Sequence, residues 1–199
     1  GDALYIAKNY AEALSAYSVA IQYPALGDDI NLDLKVAATQ TQLGNYDTSI
    51  SLYDGIIGRA PSDYIKAQAL YEIGLVYQLR GQNDAAVERW RFAVENYPLS
   101  YYSYLSLVAL LDAGGTVSEL DRGLVDYFAG QYAVAIAAFD RYLETNPADN
   151  DGTAYYYRAL SKSSLSLYDE ALLDYESFIG NFSAHSRWSD AWGEKAFIE

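Results

Sequence analysis

His185 is the only imidazole in this sequence, and it lies in the run Phe182-Ser183-Ala184-His185-Ser186-Arg187. A Ser-His-Asp relay would have to use it, and one ring cannot assemble a histidine-based metal cluster. Its place in a polar stretch between apolar segments predicts a plain surface histidine. Asp149-Asn150-Asp151-Gly152 begins like a calcium loop. With Gly152 at the loop's glycine position, however, Arg158 falls where a bidentate glutamate is needed, so the run reads as a turn and helix N-cap. Asn181-Phe182-Ser183 satisfies the N-glycosylation rule, a three-residue pattern that is common by chance. Carboxylates are plentiful, among them Asp28, Asp29, Glu72, Glu88 and Glu95, and most are expected on solvated helix faces. The sequence holds no phosphate-cradling glycine loop, Gly-x-Ser-x-Gly elbow or dinucleotide fingerprint. These residues predict no enzymatic activity, no cofactor and no bound metal, which leaves binding as the chemistry to look for.

Charge narrows the partners. The 199 residues carry 13 Lys+Arg against 27 Asp+Glu, a formal net charge of −14. Such a surface repels phosphate, so neither nucleic acid nor an anionic membrane surface is an expected partner. The absence of cysteine excludes a disulfide framework and a cysteine zinc site, and fits any redox compartment. The longest uninterrupted apolar run, Tyr132 to Phe139, is eight residues, against the ~20 a spanning helix requires, so no membrane span is expected. The chain opens Gly1-Asp2-Ala3 without an initiator Met, and residues 188–199 read as a helix without a stop signal. Both features are expected of a fragment or a processed chain, and localisation stays open.

The elements that must position any binding residues announce themselves as repeats. One pattern recurs five times, with mostly apolar residues at offsets 0, 3, 4, 7, 10 and 11 and a proline usually just beyond. The copies start at Tyr10, Tyr46, Asn83, Tyr132 and Tyr168; Pro24, Pro61, Pro98 and Pro147 follow the first four, and Ser183 stands in for the fifth. These offsets are one face of a helix with about 3.6 residues per turn, so each copy predicts an amphipathic helix. At offset 3 stand Ala13, Ser49, Ala86, Ala135 and Ala171, small enough for a neighbouring helix axis to come within ~8–10 Å. A second helical segment precedes copies two to five. Gly44, Gly81 and Gly130 mark tight turns after three of them, and small residues Ala37, Gly74, Gly123 and Ala159 recur inside them. Glycine at 74 costs a helix about 1 kcal/mol relative to alanine, for which a close helix crossing is the expected compensation.

The unit of helix, turn, helix and proline resembles the tetratricopeptide repeat (TPR), and the third copy carries the likeness best. The family's small residue, turn glycine, following aromatic, Ala, aromatic, Ala and Pro fall on Gly74, Gly81, Asn83, Ala86, Trp90, Ala93 and Pro98, with Asn83 departing from the usual tyrosine. Successive copies are 36, 37, 49 and 36 residues apart, against about 34 in the family's usual form. The resemblance implies an all-α fold: a right-handed superhelical solenoid of antiparallel helix pairs forming a single repeat domain over residues 1–199. The repeats would lie near 1–24, 28–61, 62–98, 116–147 and 150–182, with a further helix over 187–199.

Stacked pairs create an extended concave surface, which in the family is lined chiefly by the first helix of each pair. By that resemblance the groove positions are Gln68, Tyr71, Leu75 and Gln78 in the third repeat, and Thr153, Tyr156, Leu160 and Ser163 in the fifth. Members that bind chaperone tails grip a terminal carboxylate with Lys, Arg and Asn; here only Asn31 and Lys35 of one repeat could serve, so that clamp is expected to be missing. Tyrosine is abundant, at 21 residues. Tyr17, Tyr53 and Tyr175 are core by spacing. Tyr71, Tyr101, Tyr102, Tyr156 and Tyr157 cannot all share one inward stripe, because neighbouring helical positions point ~100° apart. They are open to two readings, packing between repeats or contact surface for a peptide or glycan.

The 49-residue interval holds an additional apolar segment between Pro98 and Ser118, read as one extra helix near 100–112 ended by Gly114-Gly115. Tyr97-Pro98-Leu99-Ser100-Tyr101-Tyr102-Ser103-Tyr104-Leu105 also resembles the helical, non-catalytic part of bacterial soluble lytic transglycosylases. That likeness implies a periplasmic or cell-envelope location and a catalytic domain outside this chain; no catalytic residue carries over. Two functions therefore stand: a helical-repeat scaffold binding a protein or peptide in its groove, which would fit the cytoplasm, or an architectural arm facing peptidoglycan glycan.

Overall fold

A computed structural model describes residues 1–23, 29–146 and 151–199; Pro24, Asp28, Pro147, Asp149 and Asn150 lie outside them. Every regular element among the described residues is a helix. The contacts sort into two compact units, Gly1–Gly115 and Thr116–Glu199.

The first unit contains α1 (Asp2–Ile6), α2 (Tyr10–Ile21), α3 (Ile30–Gln42), α4 (Tyr46–Arg59), α5 (Asp63–Leu79), α6 (Asn83–Asn96) and α7 (Tyr101–Asp112). Consecutive helices pack as pairs, and the repeated apolar stripe is what they bury: Ala13 and Tyr17 on α2, Ile50, Tyr53 and Ile56 on α4, Ala86, Trp90, Ala93 and Val94 on α6. The small residues allow this approach. An added Cβ on Gly74 would lie 2.1 Å from Trp90 Nε1, whose N–H donates to the Tyr71 carbonyl at 3.1 Å. In the preceding pair, the buried Ser49 hydroxyl donates to the Ala37 carbonyl at 2.9 Å, so a small polar residue satisfies its hydrogen bond across the seam.

The turns share one mechanism. Gly44, Gly81 and Gly130 have φ of +77°, +71° and +75°. At Gly81 the next amide, Gln82 N–H, reaches back to the Tyr77 carbonyl while Gly81 N–H donates to Gln78, closing the helix end with a left-handed residue. Lys8 and Ser166 adopt the same left-handed conformation without being glycine.

The extra helix near 100–112 is α7. It packs against both α5 and α6, and Gly114 (φ +78°) ends it just before the unit's boundary. The tyrosine-rich lead-in has structural duties. Ser100 caps α7 by accepting the Tyr102 N–H, and buried Ser103 donates to the Ala93 and Tyr97 carbonyls at 3.0 and 2.7 Å.

The second unit contains α8 (Glu119–Phe128), α9 (Tyr132–Thr145), α10 (Thr153–Ser164), α11 (Tyr168–Asn181) and α12 (Trp188–Ile198). Gly123 repeats the Gly74 device, since an added Cβ would meet the Phe139 ring at 2.5 Å. Gly152 (φ +98°) precedes α10, and Asp151 Oδ1 accepts the Thr153 N–H at 2.9 Å, the local bonding of a turn leading into a helix. His185 is more tied down than a plain surface residue. Nδ1 accepts the Arg187 N–H at 3.0 Å, Nε2 lies 3.3 Å from Thr153 Oγ1, and the ring stands edge-on to Phe178.

One carboxyl in this unit works against stability at neutral pH. Asp126 is buried on α8, its Oδ2 without a hydrogen bond and 3.7 Å from Arg122 Nε. Burial pushes its pKa from the ordinary 3.8 up to about 6; Arg122 and Arg141 pull it down only in part, and Glu119 pushes it further up. Because the folded form holds the proton more tightly than the unfolded form, the favourable contribution is complete below pH ~4 and is lost as pH rises through ~6. Two pK units correspond to roughly 3 kcal/mol at most. Asp126→Asn is therefore expected to raise stability at pH 7 by about 1–3 kcal/mol and to flatten the fall between pH 4 and 7. Urea titrations at several pH values measure this, and an unchanged slope refutes it.

Candidate functional site

Helices that run first in their pairs, α1, α3 and α5, leave an open cavity of about 480 Å³ on one face of the Gly1–Gly115 unit. Helical spacing explains its walls. Asn31, Leu34, Lys35 and Ala38 lie one turn apart along α3, and Gln68 and Glu72 form an i, i+4 pair on α5. Asp2, Tyr5 and Ile6 close the third side. Tyr17 and Tyr53 come from the second helices and form the floor, with only 5% and 1% of their surface exposed. Their hydroxyls resist ionisation: burial, with help from the Asp2 hydrogen bond, pushes Tyr17 up to about 12, and burial pushes Tyr53 higher still.

The cavity's polar groups divide into two sets. In the first, Asp2 Oδ2 accepts from Lys35 Nζ at 2.7 Å and Asp2 Oδ1 accepts from the Tyr17 hydroxyl at 2.7 Å. The bond from Lys35, followed by that from Tyr17, lowers the Asp2 pKa, so this carboxylate is held ionised. The lysine's charge is thereby matched inside the site. In the second set, the half-buried Glu72 has no hydrogen-bond or ion-pair partner among the described residues. Desolvation alone shifts its pKa, and the shift is upward.

Of the sequence-derived groove residues, Asn31, Lys35 and Gln68 meet here. Gln78, two turns beyond Glu72's stripe, is exposed at the end of α5 and outside the cavity walls. Tyr71 is half-buried, packing against the Trp90 cluster and tilted against Tyr102 at a centroid distance of 6.0 Å. In the second unit Tyr156 does not face an open groove. It is 5% exposed, buried in a cluster with Tyr175 and Phe178, because α11 supplies aromatic rings to the face of α10 that carries it. Tyr157 is half-buried and stacks edge-on against Tyr127 and Phe128 of α8 and against Tyr156. All three rings thus lie against other aromatic side chains of their own unit. Sequence reasoning placed Glu72 on a solvated face and so missed it. The available signal was its position four residues after Gln68, on the stripe already assigned to the groove.

Groups of acidic and histidine residues able to hold a metal are absent among the described residues. No helix among them is long and apolar enough to cross a membrane.

Comparison with known proteins places the architecture. Two family models described as tetratricopeptide repeat match, one over residues 120–188 and one over residues 68–100, together just over half of the chain. Among solved structures, the chain is similar to the TPR2AB domain of yeast Sti1, determined in a complex with pHSP90. That likeness has a TM-score of 0.50 and 19% sequence identity, and covers 100% of this chain and 80% of the other, which speaks to fold alone. No curated protein matches the chain.

Proposed function

The chain belongs to the tetratricopeptide repeat family, and from that premise we propose that it is a protein-interaction module whose Gly1–Gly115 unit binds an extended protein segment in the α1–α3–α5 cavity. The single observation that carries this reading is the meeting of Asn31, Lys35 and Gln68 in one open cavity of about 480 Å³, a size typical of ligand sites. The amide side chains offer both donors and acceptors to a peptide backbone. Tyrosine rings beneath supply apolar contact area. A fold of this family is typically a non-catalytic interaction module. The yeast Sti1 domain, determined in a complex with pHSP90, supports a protein or peptide as the partner class.

The mode differs from capture of a chain-terminal carboxylate. Lys35 is the cation the cavity could offer such a group, and Asp2 already holds it. The glycan-facing alternative rests only on the Tyr97–Leu105 stretch, where Ser100 and Ser103 are engaged in capping and buried hydrogen bonds.

The test is an array of random octapeptides probed with the full chain and with Ala38→Trp. The indole would fill the cavity from the half-exposed wall of α3 while sparing the seam. The expected result is a defined set of binding peptides, each weakened at least ~10-fold by the variant, or about 1.4 kcal/mol. Binding that is indifferent to Ala38→Trp, or no binding at all, contradicts the reading.

A further inference from the structure

The cavity is built for one kind of side chain. Of its three charged side chains, Asp2 and Lys35 pair with each other at 2.7 Å, so the charge left to a ligand is that of Glu72. A half-buried carboxylate without a partner is costly, and an incoming cation recovers that cost in a way a neutral group cannot. Tyr5, half-buried on the opposite wall, presents an aromatic ring, and planar guanidinium groups combine stacking on such rings with hydrogen bonding to carboxylates. Charge complementarity runs the same way, because a chain of net charge −14 attracts basic segments.

We propose that the α1–α3–α5 cavity is a specificity subsite for an arginine side chain of an extended peptide, with Glu72 as counter-ion, Tyr5 as stacking wall and Gln68 as a hydrogen-bonding neighbour. This rests on the peptide-binding reading above and adds which side chain is selected. Glu72 is a positioning and specificity group; no reaction is involved. The upward shift of its pKa by desolvation fits a carboxylate awaiting a cation.

Two measurements separate this inference from the reading beneath it. The first titrates the full chain with N-acetyl-arginine methylamide and, in parallel, with the norleucine analogue, following the backbone and side-chain amide resonances of Asn31 and Gln68. Saturable shifts with the arginine compound, at least tenfold weaker affinity for norleucine, and loss of that preference in Glu72→Gln are expected. The second scores the octapeptide array for arginine at one fixed position, with the enrichment lost in Glu72→Gln. Peptides that bind without a basic preference, together with silence toward the arginine compound, overturn the inference and leave peptide binding standing. Arginine-compound binding without any peptide binding upholds the subsite and removes the peptide reading. A Glu72→Gln chain that keeps the full arginine preference overturns the assignment of Glu72. Glu72→Gln is nearly isosteric at a half-buried position, and retained helical circular dichroism confirms that the variant folds.

Discussion

Asp174→Ala will destabilise the Thr116–Glu199 unit by about 3–5 kcal/mol, the usual cost of breaking a buried ion pair from one side. Asp174 sits on α11 with 6% of its side chain exposed and accepts from both Arg158 Nε at 2.9 Å and Arg158 Nη2 at 2.5 Å, while Lys162 Nζ lies 2.8 Å away. Arg158 and Lys162 are themselves only 16% and 12% exposed, so deleting the carboxylate strands two cations in a poorly solvated place. Asp140 retains one contact to Arg158 at 2.6 Å, but it is 46% exposed and screened. Lys162 also approaches Glu170 at 3.8 Å, a carboxylate 60% exposed, and Glu170→Ala is expected to change stability by less than ~0.5 kcal/mol. Hydrogen exchange across α9, α10 and α11 measures the difference. Equal protection in the two variants would refute it.

The same substitution at two glycines will have opposite signs. Gly74→Ala places a methyl carbon 2.1 Å from Trp90 Nε1, inside a seam where Trp90 is fully buried. Either the indole moves and its hydrogen bond to the Tyr71 carbonyl is lost, or α5 and α6 separate. The expected loss is about 2–4 kcal/mol, combining overpacking with an unsatisfied buried donor and exceeding the ~1 kcal/mol of helix propensity gained. Gly55, in the middle of α4, has nothing within 4 Å of an added Cβ, so Gly55→Ala is expected to gain up to ~1 kcal/mol. Urea unfolding monitored by tryptophan fluorescence in a Trp188→Phe, Trp192→Phe background, where Trp90 is the remaining indole, reports on Gly74→Ala at the seam itself, and circular dichroism follows Gly55→Ala. Two variants moving in one direction would show that close packing at Gly74 is not what its sequence position serves.

The contrast between these glycines explains how much was legible beforehand. Gly74 could be read because it recurs in step with Ala37, Gly123 and Ala159, and a small residue on an apolar stripe has one economical explanation. The turn glycines were readable for a similar reason, whereas Ser166 and Lys8 hold the same left-handed turn with residue types that carry no such mark. The ion network around Asp174 was not readable. Asp174 lies one turn from the core residues Ala171 and Phe178, at the edge of the apolar stripe, so helical spacing allows its burial; what no local pattern predicts is that Arg158 and Lys162 from α10 meet a charge there. Glu72 is the same case within the site. Periodicity assigns a stripe to α5 but not which part of it another helix covers, so a groove residue and a solvated residue look alike until α1 and α3 are in place. Tyr156 shows the reverse error, since the covering face came from aromatic residues on α11.

Chemical-shift mapping with an arginine-containing octapeptide selected from the array tests the central claim most directly. The account predicts that the shifted amides fall on α1, α3 and α5, around Tyr5, Asn31, Lys35, Gln68 and Glu72, and that Ala38→Trp abolishes them. Shifts confined to the outward faces of α2, α4 and α6, or surviving that substitution, would contradict it.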